Sequence, residues 1–339
     1  MSPFRKRLRR VIRRVFTWKF VFYSLVLPGL RALGPARGDA VLGWLGRGVI
    51  ALRPWERARM RRGLAAAVRS LDADWSVAET LPLLAANRAR FLARDYPLDV
   101  DRDQDVLERF DARGLDRLWG ALAGGKGAIL VGSHFGAHIA GLHWLFRQNA
   151  PLRLLVQRPP HVSHYLNRRF DAVGWHPQSE FFLRRDLEPA AAVERLCRAR
   201  AALRDGLVIY LNGDIPWKGC NTSGGLLLGR PQRLLAIWPL LAALTGAPVF
   251  LVFCRHRPSG RFAIEIEPIE RPKAGEEETA VADYLKQLEA QIALAPEEAV
   301  AHLLWPCYES RGADPSEPQP APTKRPRRRA VPAVGERSR

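Results

Sequence analysis

The chain has 339 residues, of which 47% are hydrophobic and 26% are charged. This globular composition excludes wholesale disorder, a fibrous repeat and a polytopic membrane protein, and the length allows one large domain or two ordinary ones. The 53 Lys and Arg residues outnumber the 34 Asp and Glu residues, which gives a formal charge of +19. So basic a balance favours an anionic partner, either a membrane surface or a nucleic acid.

Both ends of the chain are strongly basic, whereas the centre is only mildly so. Residues 1–19 carry eight bases and no acid, and residues 311–339 carry eight bases against three acids. Because the latter segment is rich in Pro, Ala and Arg, we predict that it is a disordered basic tail. The centre holds no recognisable nucleic-acid motif, so we expect an anionic membrane surface as the partner rather than a nucleic acid.

An apolar stretch follows the first basic cluster. It runs from Phe20 to Leu30 and has 11 residues, against the roughly 20 that a helix needs to cross a bilayer. No small-residue cleavage site follows it, which disfavours a signal peptide. We predict an interfacial or shallowly inserted helix, held by its aromatic residues and cationic flanks. The alternative is a helix that docks on the body of the protein.

The next segments change from helical to mixed character. Residues 53–98 have a helical pattern, in which Ser76 and Glu79 form a capping box. From about residue 110, short continuous apolar runs alternate with helical segments, as expected for buried strands. These runs are 127–132, 152–156, 207–211 and 248–253, and an alternating run at 261–267 completes a hairpin. The predicted fold class is therefore α/β, with a mixed, largely parallel sheet flanked by helices.

The composition divides the chain into three predicted parts. Residues 1–34 form a basic, amphipathic membrane-anchor segment, 35–310 form the α/β domain, and 311–339 form the tail. The four cysteines contain no C-x-x-C pair, which gives no support to a zinc ribbon or a thioredoxin-like motif. We expect buried free thiols and a reducing compartment.

The strongest candidate for chemistry is His134, within Gly-Ser-His-Phe-Gly at the end of a predicted strand. A histidine there lies beside free backbone N–H groups, a setting suited to a general base and to anion binding. His138 follows four residues later and could form a zinc pair with it on a helix. Residue 135 is Phe rather than the Glu of a zinc-protease motif. Since no third ligand is identifiable, we predict no metal site.

The His134 segment resembles the first block of the lysophospholipid acyltransferase superfamily, in particular its branch of lipid A biosynthesis (lauroyl/myristoyl) acyltransferases. Further segments resemble the later blocks of that branch in the same order, and together they cover roughly residues 5–308. They contain Arg158 in Val-Gln-Arg-Pro, Arg168 in Leu-Asn-Arg-Arg, Gly213 and Asp214 in Asn-Gly-Asp, Arg230 in Leu-Gly-Arg-Pro, and a closing helical region from Tyr284 to Trp305 that includes His302.

The resemblance implies a membrane-associated enzyme with a glycerolipid acyltransferase-like fold. It would move a fatty acyl group from an acyl carrier protein or coenzyme A thioester to a hydroxyl, or an amine, of a lipid A-type or lysolipid acceptor. The expected place is the cytoplasmic face of a bacterial inner membrane, and the reaction would need no bound cofactor or metal. His134 would be the general base, and substrate would be held by Arg158, Arg168, Gly213 and Arg230.

One position departs from the family pattern. Members carry Asp or Glu five residues after the histidine, whereas this chain has Ile139. Isoleucine can neither fix a histidine tautomer nor stabilise an imidazolium. Three hypotheses follow: Asp214, after another strand end, supplies the carboxylate; His138 orients or shares the role of His134; or the protein has lost acyl transfer and remains a lipid-binding relative.

Overall fold

The computed structural model describes residues 18–99, 102–183, 188–217 and 221–309. The basic cluster before residue 18 and the predicted tail from residue 311 lie outside these ranges, so the predictions for them, and the division into three parts, stay predictions. The α-helices are α1 Trp18–Val21, α2 Leu27–Ala32, α3 Pro35–Ala51, α4 Pro54–Leu71, α5 Val77–Ala93, α6 Asp103–Leu107, α7 Leu115–Ala123, α8 His138–Arg147, α9 His164–Phe170, α10 Pro189–Arg204, α11 Ile237–Thr245, α12 Glu277–Leu294, α13 Val300–Leu304 and α14 Pro306–Glu309.

The strands form one central sheet and one separate hairpin. They are β1 Phe110–Arg113, β2 Ala128–Gly132, β3 Leu152–Leu154, β4 Val208–Asn212, β5 Thr222–Leu227, β6 Arg230–Leu235, β7 Val249–Arg257 and β8 Arg261–Ile269. The six-stranded sheet has the order β1-β8-β7-β2-β4-β3, while β5 and β6 pair with each other. In the large sheet only β7 and β8 are antiparallel. The predicted fold class, a largely parallel sheet flanked by helices, is confirmed.

The apolar runs of the sequence became the central strands because both faces of the sheet are covered by helices. Every residue of β2 and β4 is buried. The predicted cap is confirmed as well, since Ser76 Oγ accepts the backbone N–H of Glu79 at 3.4 Å where α5 begins. The β5–β6 hairpin was not predicted, because its glycines and charged residues break the alternation that marks a half-buried strand.

The apolar N-terminal stretch is helical in the structure, with a π-helical segment Phe22–Val26 between α1 and α2. Leu27 is buried against Leu42 and Ala93, and the Tyr23 hydroxyl donates to the Leu92 carbonyl at 2.7 Å. The segment therefore docks on the body in part, but it also leaves Trp18, Phe20 and Leu25 exposed. None of the helices in the described part of the chain is both long and apolar enough to span a membrane.

Helix α3 packs on α5 through a face of small residues. A Cβ atom on Gly46 would lie 2.3 Å from the carbonyl oxygen of Ala85, so the two backbones are in direct contact there. Arg90 of α5 also holds α3 through two hydrogen bonds, of 2.7 and 2.9 Å, to the carboxylate of Asp39. The glycine face and this ion pair fix the N-terminal helices against the domain.

A buried polar network ties α8 to the end of α5. Asp95 accepts from the ring of His143 at 2.9 Å and from the backbone N–H of Ser163 at 3.1 Å. Arg147 donates to the other nitrogen of His143 at 2.8 Å. Asp95 and His143 are fully buried, and a buried charge is stable only when partners of this kind satisfy it.

The expectation of buried thiols is only partly met. Cys254 is buried, but Cys197 and Cys307 are exposed. The prediction was wrong for the latter two because cysteine spacing carries no information about which helix face a residue occupies. Cys220 lies outside the described residues.

The α3–α5 contact gives a prediction with an internal control. Gly46→Ala should lower the free energy of unfolding by about 1–3 kcal/mol, since the new methyl group collides with backbone rather than with a movable side chain. Gly48→Ala, two residues away with nothing within 4 Å, should instead raise it by about 0.5–1 kcal/mol, because alanine favours a helix over glycine. Denaturant unfolding of the two variants measures both values, and equal effects would contradict this packing.

Candidate functional site

The register of the sheet brings His134 and Asp214 together. β2 and β4 are neighbouring parallel strands in which Gly132 pairs with Asn212. His134 and Asp214 each stand two residues beyond these paired ends, so they emerge side by side at the same edge of the sheet. His134 Nδ1 lies 3.0 Å from Asp214 Oδ1, and the backbone N–H of His134 donates to Asp214 Oδ2 at 2.7 Å.

Asp214 is fully buried and is satisfied on both oxygens. His302 on α13, itself buried, is the second histidine at this carboxylate, with Nε2 2.8 Å from Oδ2. Burial alone would raise the pKa of Asp214, but the charge and hydrogen bonds of His134 and His302 outweigh it and hold the pKa well below its usual range. The group is therefore a carboxylate and can only accept hydrogen bonds. His134 Nδ1 must then carry a proton, which leaves Nε2 as the basic nitrogen.

Tyr308 closes the site from the C-terminal side. Its hydroxyl donates to the backbone carbonyl of Asp214 at 2.9 Å and lies 3.3 Å from His134 Nδ1. Burial raises the pKa of Tyr308 well above its ordinary value, so the phenol stays protonated. The rings of Tyr308 and Trp305 stack, and the Trp305 ring centroid lies 5.1 Å from that of His134. His134 is thus held by hydrogen bonds on one side and by aromatic packing on another.

The reactive edge of His134 faces a cavity of about 330 Å³. His134 Nε2 lies 3.3 Å from the carboxamide Nδ2 of Asn212, and both residues line the cavity. Apolar and aromatic side chains make up much of the wall, as is typical of a ligand pocket. They include Phe91, Ile139, Leu142, Val156, Leu183, Ile215, Trp217, Leu235 and Trp305.

His138 and Ile139 stand at the start of α8 beside His134. His134 lies before the helix, yet its ring centroid is only 5.4 Å from that of His138, in an edge-on arrangement. Burial and the neighbouring His134 lower the pKa of His138 well below its ordinary value, so its ring is neutral. Ile139 is buried and lines the cavity. Ile139, at the position where the family has its acid, is therefore an apolar residue of the cavity wall. The carboxylate at His134 comes instead from Asp214, just after β4.

Two glycines are required by close approach. Gly136 adopts φ +60°, and a Cβ atom there would lie 2.2 Å from the carbonyl oxygen of Cys254. This turn lets the chain leave β2, present His134 and enter α8. A Cβ atom on Gly213 would lie 2.7 Å from the ring of Tyr284, so Gly213 serves packing under Asp214. Tyr284 in turn donates to the Gly132 carbonyl at 2.9 Å.

The three predicted substrate-binding arginines occupy different places. Arg158 lines the same cavity as His134, but its guanidinium makes two hydrogen bonds, of 2.7 and 3.1 Å, to Asp171. Arg230 lines a separate cavity and donates to the Tyr308 carbonyl at 3.3 Å. Arg168 is exposed on α9 and is not among the described residues that line the His134 cavity. Only Arg158 of the three is brought to His134.

Sequence reasoning missed the roles that His302, Tyr308 and Asn212 have in this geometry. Asn212 carried a usable signal, because it is the last residue of a strand whose next polar residue is Asp214. His302 and Tyr308 carried none, since they reach Asp214 only after two short helices fold back over the sheet. In the described ranges, no group of three or more His, Cys, Asp or Glu side chains is arranged to hold a metal ion.

Comparisons with known proteins agree with this architecture. Residues 5–300 match the family model described as bacterial lipid A biosynthesis acyltransferase. The chain is also similar to a phosphatidylinositol mannoside acyltransferase of Mycolicibacterium smegmatis, with 26% identity over 282 residues that cover 82% of this chain and 87% of the relative. The chain belongs to the bacterial lipid A biosynthesis acyltransferase family, and the protein is an acyltransferase.

Proposed function

We propose that the protein transfers a fatty acyl group from an acyl thioester to a hydroxyl group of a membrane lipid, with His134 as the general base and Asp214 as its partner. The observation that carries the proposal is the 3.0 Å contact between His134 Nδ1 and the buried Asp214 carboxylate. It leaves Nε2 as the basic nitrogen, beside the Asn212 carboxamide at 3.3 Å in the wall of a largely apolar cavity. The same nitrogen is where an acceptor hydroxyl would have to bind.

The chemistry follows from this arrangement. His134 Nε2 takes the proton of the acceptor hydroxyl as the oxygen attacks the thioester carbonyl. The imidazolium that forms is stabilised by Asp214, which holds Nδ1–H. Collapse of the tetrahedral intermediate breaks the carbon–sulfur bond, and the departing thiolate recovers the proton from Nε2. The products are the acylated lipid and a free thiol, and no step needs a resident cofactor or metal.

The position of Asp214 supports catalysis over the non-catalytic alternative. That alternative arose because Ile139 replaces the family acid. Burial of a charged group costs free energy, and lipid binding alone does not require a carboxylate that fixes the tautomer of a histidine. The need to orient His134 explains why the Asp214 carboxylate is buried in this position.

The acceptor is proposed to be a phosphate-bearing lipid. The family model points to lipid A-type acceptors, and the name of the mycobacterial relative adds a mannosylated phosphatidylinositol. The thioester is proposed to be carried by acyl carrier protein or by coenzyme A. Either lipid acceptor would be presented at the cytoplasmic face of the bacterial inner membrane, where we propose that the protein acts.

Peripheral membrane association is supported by the N-terminal helices. Of the exposed large apolar side chains in the described part of the chain, more than half lie within residues 18–55. They are Trp18, Phe20, Val21, Leu25, Leu33, Trp44, Val49, Leu52 and Trp55. Residues 31–69 also carry nine arginines against two acids, and both acids are engaged by arginines of the protein. Exposed tryptophans beside an excess of arginines over acids are typical of a surface that binds an anionic membrane.

Loss of the general base is the first test. His134→Ala should reduce acyl transfer by about 10²–10⁴-fold, the range for removal of a general base. The assay supplies labelled palmitoyl-acyl carrier protein or palmitoyl-coenzyme A together with inner-membrane lipid extracts. His164→Ala, which changes an exposed histidine on α9, is the matched control and should retain full rate. Transfer that survives His134→Ala would place the active site elsewhere.

Substitution of Asp214 separates the two remaining hypotheses. In Asp214→Asn the carboxamide oxygen must accept the backbone N–H of His134, so the NH₂ group is left facing Nδ1. The ring is then forced into the tautomer with hydrogen on Nε2, and transfer should fall by about 10³–10⁴-fold. His138→Gln should have a much smaller effect on the measured rate constant. The reverse order of the two variants would support His138 as the partner.

The membrane proposal predicts a selective loss of binding. Trp44→Ser combined with Trp55→Ser should weaken binding to phosphatidylglycerol vesicles by about tenfold or more, because burial of one large apolar side chain contributes about 1.5–3 kcal/mol. Trp175→Ser is the control, since Trp175 and Trp44 are both 65% exposed but Trp175 lies outside the N-terminal helices. Vesicle sedimentation measures the binding of the double variant and of Trp175→Ser. Equal losses of binding in these two variants would contradict the proposal that the N-terminal helices bind the membrane.

A further inference from the structure

Arg94 occupies a strained position beside the catalytic cavity. It directly follows α5 and has φ 53° and ψ −125°, a conformation that glycine adopts readily and residues with a Cβ rarely do. Its backbone N–H still closes the helix by donating to the Arg90 carbonyl at 3.1 Å. Capping the helix does not require an arginine, since glycine would make the same bond with less strain. Strain kept at a cavity wall points to a use for the side chain.

Within the described residues, no carboxylate forms an ion pair with the Arg94 side chain. Its Nε atom is buried and has no hydrogen-bond partner among the described residues. The adjacent acid, Asp95, is already bonded to His143 and Ser163. The Arg94 guanidinium also lies within hydrogen-bonding reach of the Tyr23 hydroxyl. The guanidinium still has donors left over, and the buried Nε is one of them.

Arg94 also lines two cavities at once. One is the catalytic cavity, where it lies in the wall with His134. The other has a volume of about 80 Å³ and lies between the N-terminal helices and the body, where Leu27, Leu30 and Leu42 give it an apolar wall. An anion held at Arg94 would therefore lie between the catalytic histidine and the helices that carry the exposed tryptophans.

The electrostatics of the catalytic cavity favour an anion. Arg94 and Arg158 both line it, whereas none of the described lining residues is Asp or Glu. Arg158 is already matched by the bidentate contact with Asp171. Arg94 has no comparable acid, so its charge is the one left to be neutralised by a substrate. A guanidinium can bind a phosphate through two parallel hydrogen bonds.

We propose that Arg94 binds the phosphate group of a substrate in the catalytic cavity. The proposal deepens the acyl-transfer function and rests on it for the identity of the cavity. The phosphate belongs either to the headgroup of the acceptor lipid or to the pantetheine-bearing carrier of the donor. In both cases Arg94 positions a reacting molecule from a distance and takes no part in proton transfer.

The first experiment separates a binding role from a structural one. Arg94→Gly removes the guanidinium and relieves the strained backbone, so its Tm should equal or exceed that of the native chain while the KM of one substrate rises about tenfold or more. Arg94→Lys keeps the charge but loses the planar fork of donors. Its KM should therefore lie between the KM of the native chain and that of Arg94→Gly. A lower Tm in Arg94→Gly with unchanged KM values would make Arg94 a structural residue and overturn the proposal.

The second experiment measures binding without turnover and identifies the source of the phosphate. Isothermal titration of the full chain uses soluble dihexanoyl-phosphatidylinositol in one arm and coenzyme A in the other. Arg94→Met should weaken at least one of them by about tenfold or more, and the affected arm names the acceptor or the donor. Arg200→Met, at an exposed arginine of α10, should change neither.

The outcomes distinguish this proposal from the proposed function. If the native chain binds neither probe, or if Arg94→Met binds both as well as the native chain does, the phosphate site is refuted. If binding depends on Arg94 but no acyl transfer is detected with any lipid extract, the phosphate site stands and the acyl-transfer function falls.

Discussion

The buried carboxylate of Asp214 is the group on which the site depends. A charge with no exposure to water must be satisfied by its neighbours, and Asp214 recruits them from distant parts of the chain. His134 contributes a ring nitrogen and a backbone N–H, and His302 contributes a second ring. The β2 loop, the β4 loop and α13 are thereby held at fixed distances. Removal of the carboxylate would leave the buried His302 and the partly buried His134 without this acceptor.

The sheet explains how the site survives the loss of the family acid. Adjacent parallel strands end at the same edge, so residues at equal offsets past paired ends become neighbours. His134 and Asp214 satisfy this condition through the pairing of Gly132 with Asn212. A carboxylate on the neighbouring strand's loop, Asp214, can thus take the place of one five residues after His134. Position 139 can then hold an apolar residue of the cavity wall.

The N-terminal helices connect this site to a surface. Helix α3 is held against α5 by glycine contacts and by the Arg90–Asp39 pair, and Arg94 in the cavity wall directly follows α5. A helix that exposes tryptophan is thereby packed on the helix that leads to the cavity. This arrangement suits the proposed lipid substrate, whose acyl chains would remain in apolar surroundings while the headgroup reaches His134.

Much of this arrangement could be predicted from the sequence, and the reasons for the failures are physical. Buried parallel strands read as continuous apolar runs, so β2, β4 and β7 were predictable, and the placement of His134 and Asp214 after strand ends followed from them. The β5–β6 hairpin was not predictable because its glycines remove the alternating pattern. His302 and Arg94 were hidden for a different reason. Their importance comes from long-range packing and from backbone strain, neither of which leaves a local signature.

The tautomer of His134 tests its pairing with Asp214 directly. It is measured by nitrogen-15 NMR on histidine-labelled protein, with His134→Ala for assignment of the signal. Because Asp214 is a carboxylate that can only accept, the native chain should show hydrogen on Nδ1 and a free Nε2 when the ring is neutral. Asp214→Asn should convert the signal to the opposite tautomer. A native chain with hydrogen on Nε2, or a signal that ignores the substitution, would contradict the claim that Asp214 is the partner of His134.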